Sequence, residues 1–234
     1  MNYAIILIAG EGKRFSNKIP KQFVQIGGKP LYFYTLEKFV SNSHIDEILL
    51  VVHKDYILDV ENELKTFNFS KKVHLVIGGS TRQESSFLAL KSLRDKASDN
   101  DIVLIHDGAR PLVSEKIINE NIKASENNSA ITTAIKVKYT IGKSEDNFSV
   151  NEYVDRSNLY EIQTPQTFNF GTIFEAHELA IEKGITSYTD DSSVVLASNK
   201  KVALVEGSPL NIKITTLDDL ELFKKIKGLK NEQF

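Results

Sequence analysis

Tyr3-Ala4-Ile5-Ile6-Leu7-Ile8-Ala9, followed at once by Gly10-Glu11-Gly12-Lys13-Arg14, reads as a short apolar strand that runs into a glycine-led, cationic loop. Apolar runs of the same kind recur near 46–53, 73–77, 101–106 and 129–135, with amphipathic stretches near 30–41, 55–66, 81–94 and 114–127 between them. Short β-branched runs alternating with longer helical ones are the pattern of βαβ units, so the expected class is α/β, with a mainly parallel twisted sheet flanked by helices. The rhythm breaks at about 136–162, where Lys136, Lys138, Lys143, Asp146 and Asn151 interrupt Val, Tyr and Ile without a helical repeat, and an inserted β-arm is expected there. Beyond it, helices are expected near 171–183 and 190–198, strands near 202–205 and 211–214, and a closing helix near 216–227. Thr216, with Asp219 three residues on, is suited to cap that last helix. No repeat or Pro/Gly/Ser linker divides the chain, so residues 1–234 read as a single domain.

Composition removes several classes of function. Without cysteine there is no disulfide framework, thiolate nucleophile or Cys-type zinc site, and any metal must be held by oxygen or histidine. A net charge of −2, from 29 Lys and Arg against 31 Asp and Glu, provides no global basic field and argues against a dedicated nucleic-acid binder. The longest apolar runs are far shorter than the roughly 20 residues that span a bilayer. A secretory leader needs a basic start and a longer apolar stretch, whereas the first strand-like run begins almost at Met1, so a cytoplasmic location is expected.

In an open α/β sheet, ligands gather beyond the carboxyl ends of the strands, where the loops after these runs must lie. In the first loop, Gly10 and Gly12 let backbone N–H groups approach an anion, and Lys13, Arg14 and Lys21 supply charge fit for a triphosphate. Two glycines alone also describe a tight turn. Phe15 stands where a dinucleotide loop would want a third glycine, Val52-His53-Lys54 offers no acidic ribose partner, and P-loop spacing is absent, which favours a nucleoside triphosphate bound in another way. The run near 101–106 ends in His106-Asp107-Gly108-Ala109-Arg110-Pro111, where Asp107 is suited to hold Mg²⁺ together with substrate phosphates. The alternative is a turn residue paired with Arg110. His106 is given no role. In Gly78-Gly79-Ser80-Thr81-Arg82-Gln83-Glu84-Ser85, a flat base can lie against Gly79 and accept or donate to Ser85, unless the segment is simply a capped helix start.

Several of these motifs occur in one order along nearly the whole chain. They are Ala9-Gly10-x-Gly12-x-Arg14 with Pro20-Lys21-Gln22-Phe23, Gly28-Lys29-Pro30, and His106-Asp107-x-Ala109-Arg110-Pro111. Arg156 then precedes Gln163-Thr164-Pro165-Gln166-x-Phe168, followed by Thr189-Asp190-Asp191, Glu206-Gly207 and Asn211-Ile212-Lys213-Ile214-Thr215. The ordered set resembles the 2-C-methyl-D-erythritol 4-phosphate cytidylyltransferase family, within the wider nucleotidyltransferases that include the ribitol 5-phosphate cytidylyltransferases.

The resemblance implies a Rossmann-like nucleotidyltransferase fold, Mg²⁺-dependent transfer of CMP from CTP to 2-C-methyl-D-erythritol 4-phosphate, and a homodimer clasped by the β-arm. It implies that Arg14, Lys21 and Lys213 are catalytic, surrounding the CTP phosphates, while Asp107 holds the metal beside the nucleotide. Ala9, Gly10, Gly12, Gly79 and Ser85 would bind the nucleotide, and Arg110, Thr140, Arg156 and Thr189 the polyol phosphate, with Thr140 and Arg156 reaching across the dimer. Phe15 replaces the family's usual Met, Ser80 stands where some relatives are acidic, and Tyr139 stands where the methylerythritol enzymes often have Asp. Val154-Asp155-Arg156-Ser157-Asn158-Leu159 lies closer to the methylerythritol enzymes than to the ribitol enzymes, which tend to carry Arg-Asp with Gly there. A nucleotide-binding module without transferase activity would lack the basic groups or carry an acidic ribose clamp, and the sequence has neither feature.

Overall fold

The computed structural model of the protein describes residues 1–10, 19–67 and 69–229. In chain order the strands are β1 (Asn2–Leu7), the short pair β2 (Gln25–Ile26) and β3 (Lys29–Pro30), β4 (Glu47–Val52), β5 (Val73–Ile77), β6 (Ile102–Asp107), β7 (Ala130–Lys136), β8 (Ile141–Lys143), β9 (Glu152–Val154), β10 (Tyr160–Asn169) and β11 (Ala203–Glu206). The helices are α1 (Leu31–Val40), α2 (Ile57–Lys65), α3 (Arg82–Ser92), α4 (Glu115–Ala124), α5 (Phe170–Glu182), α6 (Asp191–Ala197) and α7 (Leu217–Ile226).

A continuous apolar run suits a strand covered on both faces, because successive side chains point to opposite sides. Tyr3 and Ile5 of β1 enter one core layer with α3, α5 and α6, while Ala4 and Ile6 enter the other with α1, α2 and α4. Leu49 and Val51 alternate with Ile48 and Leu50 in the same way on β4. The main sheet has seven strands in the order β11-β7-β10-β6-β1-β4-β5, all parallel except β10, which opposes both β6 and β7. The α/β class and the mainly parallel sheet are as expected. A third, smaller cluster joins Tyr34 of α1 to Leu220 and Phe223 of α7. The expected cap of α7 is a full capping box: Thr216 accepts from the Asp219 amide, and the Asp219 carboxylate accepts from the Thr216 amide.

Two expectations need correction. The segment 211–214 is no strand. The Ile214 N–H donates to Ala109 O in the loop after β6, and the Asn211 side-chain amide donates to Gln163 Oε1 and Thr164 O of β10, so these polar groups are spent on single cross-links instead of along a ladder. Polar-apolar alternation says nothing about whether a backbone pairs in a ladder, which is why it misidentifies this segment. Conversely, β10 is unannounced by the sequence, because Gln163, Thr164, Pro165, Gln166 and Thr167 are polar or ladder-breaking residues. Pro165 falls where the register against β7 shifts between Gln163 and Gln166, a position that needs no ladder donor. Gln166 is fully buried because its Oε1 accepts from the amides of Asp191 and Ser192, tying the start of α6 to the sheet. The interruption at about 136–162 contains the β8–β9 hairpin, set between β7 and β10.

Candidate active site

The carboxyl ends of β6, β1, β4 and β5 stand in line and border a cleft of about 500 Å³. Ala9 and Gly10 line it beyond β1, His53 beyond β4, Gly79 and Arg82 beyond β5, and Asp107 at the end of β6, with Lys21 and Lys213 also on its wall. The loops close on one another because two positions lack a side chain. A Cβ on Gly78 would lie 2.4 Å from the Ala9 Cβ, and one on Gly108 would lie 2.3 Å from the Ile8 Cγ2. Gly10 differs: a Cβ there would meet nothing within 4 Å among the described residues, and its backbone lines the cleft.

Gln22 fixes the turn that carries Lys21. Its buried amide donates to the carbonyls of Ile8 and Gly10, stapling the segment after residue 18 to the end of β1. Ser85 acts similarly on the third loop, accepting from Gly79 N–H at 3.1 Å and donating to Thr81 O at 2.8 Å. Its hydroxyl proton is thus committed to the backbone, and Ser85 shapes the Gly79 loop at the cleft wall.

The charged centre of the cleft is Asp107. Lys213 Nζ lies 2.8 Å from its Oδ2, Arg82 Nε 3.1 Å from its Oδ1, and Arg110 Nε 3.7 Å from Oδ2. Burial alone would raise the carboxyl pKa, but Arg82, Lys213 and Arg110 together hold it well below the usual carboxylate range. Arg82 is shared: its Nη1 also meets Asp191 Oδ2 at 2.7 Å, and the other Asp191 oxygen accepts from His177 Nε2 at 3.2 Å. Asp191 and His177 are fully buried, and Asp191 is held at about 2, with burial opposed by Arg82 and His177. Burial likewise works against the Arg82 charge, yet Asp191 and Asp107 raise its pKa above the ordinary arginine value. Among the described residues, three cations surround one cleft carboxylate and leave a local positive surplus suited to a polyanion.

Behind this cluster the loop is fixed by neutral hydrogen bonds. Arg110 O can only accept, so His106 Nε2 carries the proton and donates to it at 3.2 Å. His106 Nδ1 therefore accepts from the Thr164 hydroxyl at 3.0 Å, and the Thr164 oxygen accepts from Asp107 N–H at 3.1 Å. Complete burial pushes His106 down to about 3, which keeps the imidazole neutral and structural.

The structure thus brings Ala9, Gly10, Lys21, Gly79, Ser85, Asp107 and Lys213 to one cleft. Gly12 and Arg14 lie outside the described residues. Arg110 sits behind Asp107, its Nη1 donating to Asn211 O at 2.8 Å. Thr140, Arg156 and Thr189 are exposed and are not on the cleft wall; the Arg156 guanidinium donates to Lys138 O within the arm. Arg82, Gln22, Thr164 and Asp191 lie within the sequence motifs, where nothing in their spacing marks a role for them. For Arg82 a signal was present: a cation in the first turn of a helix opposes the helix dipole, so it needs an acidic partner from elsewhere in the fold.

Among the described residues Asp107 is the carboxylate on the cleft wall, and this suits Mg²⁺, which takes one or two carboxylates and completes its shell with substrate phosphates and water. Among the described residues no group of three His, Asp or Glu side chains forms an all-protein cage, and no helix is long and apolar enough to cross a membrane.

Residues 2–227 match the family described as 2-C-methyl-D-erythritol 4-phosphate cytidylyltransferase. A relative of that name from Clostridium novyi is 44% identical over 227 residues, covering 96% of each chain. A ribitol-5-phosphate cytidylyltransferase from Streptococcus agalactiae is 37% identical, with 100% of this chain and 98% of the relative covered. Among solved structures, the 4-diphosphocytidyl-2C-methyl-D-erythritol synthase of Anaerococcus prevotii superposes with a TM-score of 0.83 at 32% identity, covering 97% of this chain and 96% of its own.

Proposed function

Because the chain belongs to the 2-C-methyl-D-erythritol 4-phosphate cytidylyltransferase family, we propose that it transfers the cytidylyl group of CTP to 2-C-methyl-D-erythritol 4-phosphate and releases pyrophosphate. The observation that carries this reading is the meeting of Lys21, Lys213 and Asp107 with the bare Gly10 and Gly79 loops in one cleft at the carboxyl edge.

An acceptor phosphate monoester has a second pKa of about 6, so at neutral pH its oxygen attacks the α-phosphorus without first losing a proton. The bond from the α-phosphorus to the bridging oxygen breaks, and pyrophosphate leaves with that electron pair. Catalysis then consists of alignment and of offsetting the repulsion between two anions. Lys21 and Lys213, with Arg14 from the first loop, are the cations assigned to that work. Asp107 would share Mg²⁺ with the triphosphate, and the ion would add positive charge at the phosphoryl oxygens. Gly10 and Gly79 offer backbone for the base and ribose to lie against, in a loop that Ser85 holds open.

The proposed enzyme is cytoplasmic and homodimeric, and the arm supports the dimer. Tyr139, Phe148 and Tyr153 are 79%, 95% and 73% exposed along it, an apolar surface fit for a second copy of the chain. Thr140 and Arg156 would then serve the acceptor in the other subunit's cleft. Arg156→Ala is expected to raise the acceptor KM about tenfold or more while leaving CTP affinity unchanged, since a guanidinium–phosphate pair is lost from one substrate alone. Steady-state kinetics with calorimetric CTP titration test it, and a selective loss of CTP affinity would place Arg156 elsewhere.

Transfer to ribitol 5-phosphate is the second reading, favoured by the full-length match to the Streptococcus agalactiae relative. Pyrophosphate release with CTP, UTP and ATP against both polyol phosphates separates the two. Release with CTP and the methylerythritol acceptor is expected to dominate, and preferential turnover of ribitol 5-phosphate would reverse the assignment.

A further inference from the structure

We propose that Lys213 is an exchangeable counter-ion which occupies Asp107 in the nucleotide-free enzyme and yields that carboxylate to a divalent cation only when a triphosphate draws the lysine away, while Arg82 stays as the fixed positioning residue. The proposal rests on the functional reading above in taking Asp107 as the metal ligand.

The three cations at Asp107 are held very differently. Arg82 donates to Asp107 Oδ1 and to Asp191 Oδ2, and Asp191 is fully buried, so withdrawing Arg82 would strand a second carboxylate with only His177 beside it. Arg110 stands off at 3.7 Å, with its Nη1 pinned to Asn211 O and a side chain only 12% exposed. Lys213 makes the shortest contact to Asp107, 2.8 Å, yet its side chain is 39% exposed. A hydrated ammonium on a flexible four-carbon stem can swing to a phosphate at little cost, whereas a planar guanidinium clamped between two carboxylates cannot.

Charge sets the order of events. With Arg82, Arg110 and Lys213 around it, Asp107 is already over-neutralised, and a dication approaching the free enzyme meets net repulsion. A triphosphate reverses that balance, offers Lys213 a new partner and brings the ion on its own oxygens. Lys213 thereby keeps the free enzyme from holding a metal without nucleotide, and then joins the phosphates. Arg82 keeps Oδ1 engaged throughout, so the exchange takes place at Oδ2.

The test is Mn²⁺ binding to the full, nucleotide-free protein, read by electron paramagnetic resonance. Lys213→Met keeps the stem and removes the charge, and it is expected to tighten Mn²⁺ binding by about tenfold or more, the effect of deleting a cation in contact with the ligand oxygen. Lys213→Arg is expected to stay as weak as the parent. The tightening should vanish in the double variant Asp107→Asn/Lys213→Met. Unchanged Mn²⁺ affinity in Lys213→Met would overturn the exchange, as would tight binding that survives the loss of Asp107. Since this readout needs no turnover, a protein inactive with CTP and both acceptors would defeat the assigned reaction without deciding the exchange.

Discussion

Lys21→Ala is expected to fold as the parent does and to lose about 10²–10³ in kcat for CTP-dependent pyrophosphate release, the usual cost of removing one preorganised donor from developing charge. Folding should survive because the turn Lys21–Phe23 is held by backbone and by its neighbours. Phe23 N–H donates to Pro20 O, Val24 N–H to Lys21 O, and Gln22 is tied to Ile8 and Gly10. None of these bonds uses the lysine side chain. The loss should fall on kcat more than on the acceptor KM, since charge on the α-phosphoryl oxygens and on the departing pyrophosphate peaks in the transition state. A variant that folds and turns over near the parental rate would remove Lys21 from the reaction centre. The same expectation extends to Arg14→Ala.

Arg82→Ala should act first on stability. Removing one partner of a buried ion pair leaves an uncompensated charge and costs about 3–5 kcal/mol. The lower end is expected here, because the Arg82 side chain is 22% exposed at the cleft and water can replace part of it, whereas Asp191 has no exposure at all. The pH dependence has a definite sign. Asp191 is held at about 2 in the folded protein, below the roughly 3.9 of an unfolded aspartate, so its contribution is complete above the unfolded value and is lost as pH falls toward the folded one. Without Arg82, burial dominates at Asp191, and the carboxyl protonates more readily in the folded state. The stability deficit of the variant is therefore widest at neutral pH and narrows below about pH 4. Urea denaturation of both proteins at the two pH values measures this. A deficit that stays constant or grows in acid would show that Arg82 contributes by packing and not by charge.

The two residues differ in how much of their role could be read beforehand. Lys21 lies in a run of motif residues near a glycine-led loop, and its chemistry is local in sequence. Arg82 lies in a segment that was legible as a helix start, but its partners Asp107 and Asp191 are 25 and 109 residues away. Likewise, Gln163 and Gln166 stand in a motif to which the sequence assigns no strand. Inside β10 they become buried amides, one satisfied by Ser208 and Asn211 and the other by the first turn of α6. A polar strand interior carries no two-residue hydrophobic signal, so the antiparallel strand inside the sheet went unrecognised while its parallel neighbours did not. The same period made a strand of 211–214, whose hydrogen bonds run singly to Ala109 and to Gln163 and Thr164 of β10 and form no ladder.

What the sequence determined by itself was the α/β class, the strand ends on which the loops with Gly10, Gly79 and Asp107 sit, and the composition that leaves oxygen and cationic groups to do the chemistry. These follow from near-neighbour spacing, because apolar periodicity and turn residues act within a few positions of one another. Only the tertiary structure decided that Arg82 joins Asp107 to Asp191, that Lys213 rests on Asp107, and that β10 lies reversed between β6 and β7. Those contacts depend on strand order and on charges meeting across the edge of a sheet, and no local repeat records where distant segments come to lie.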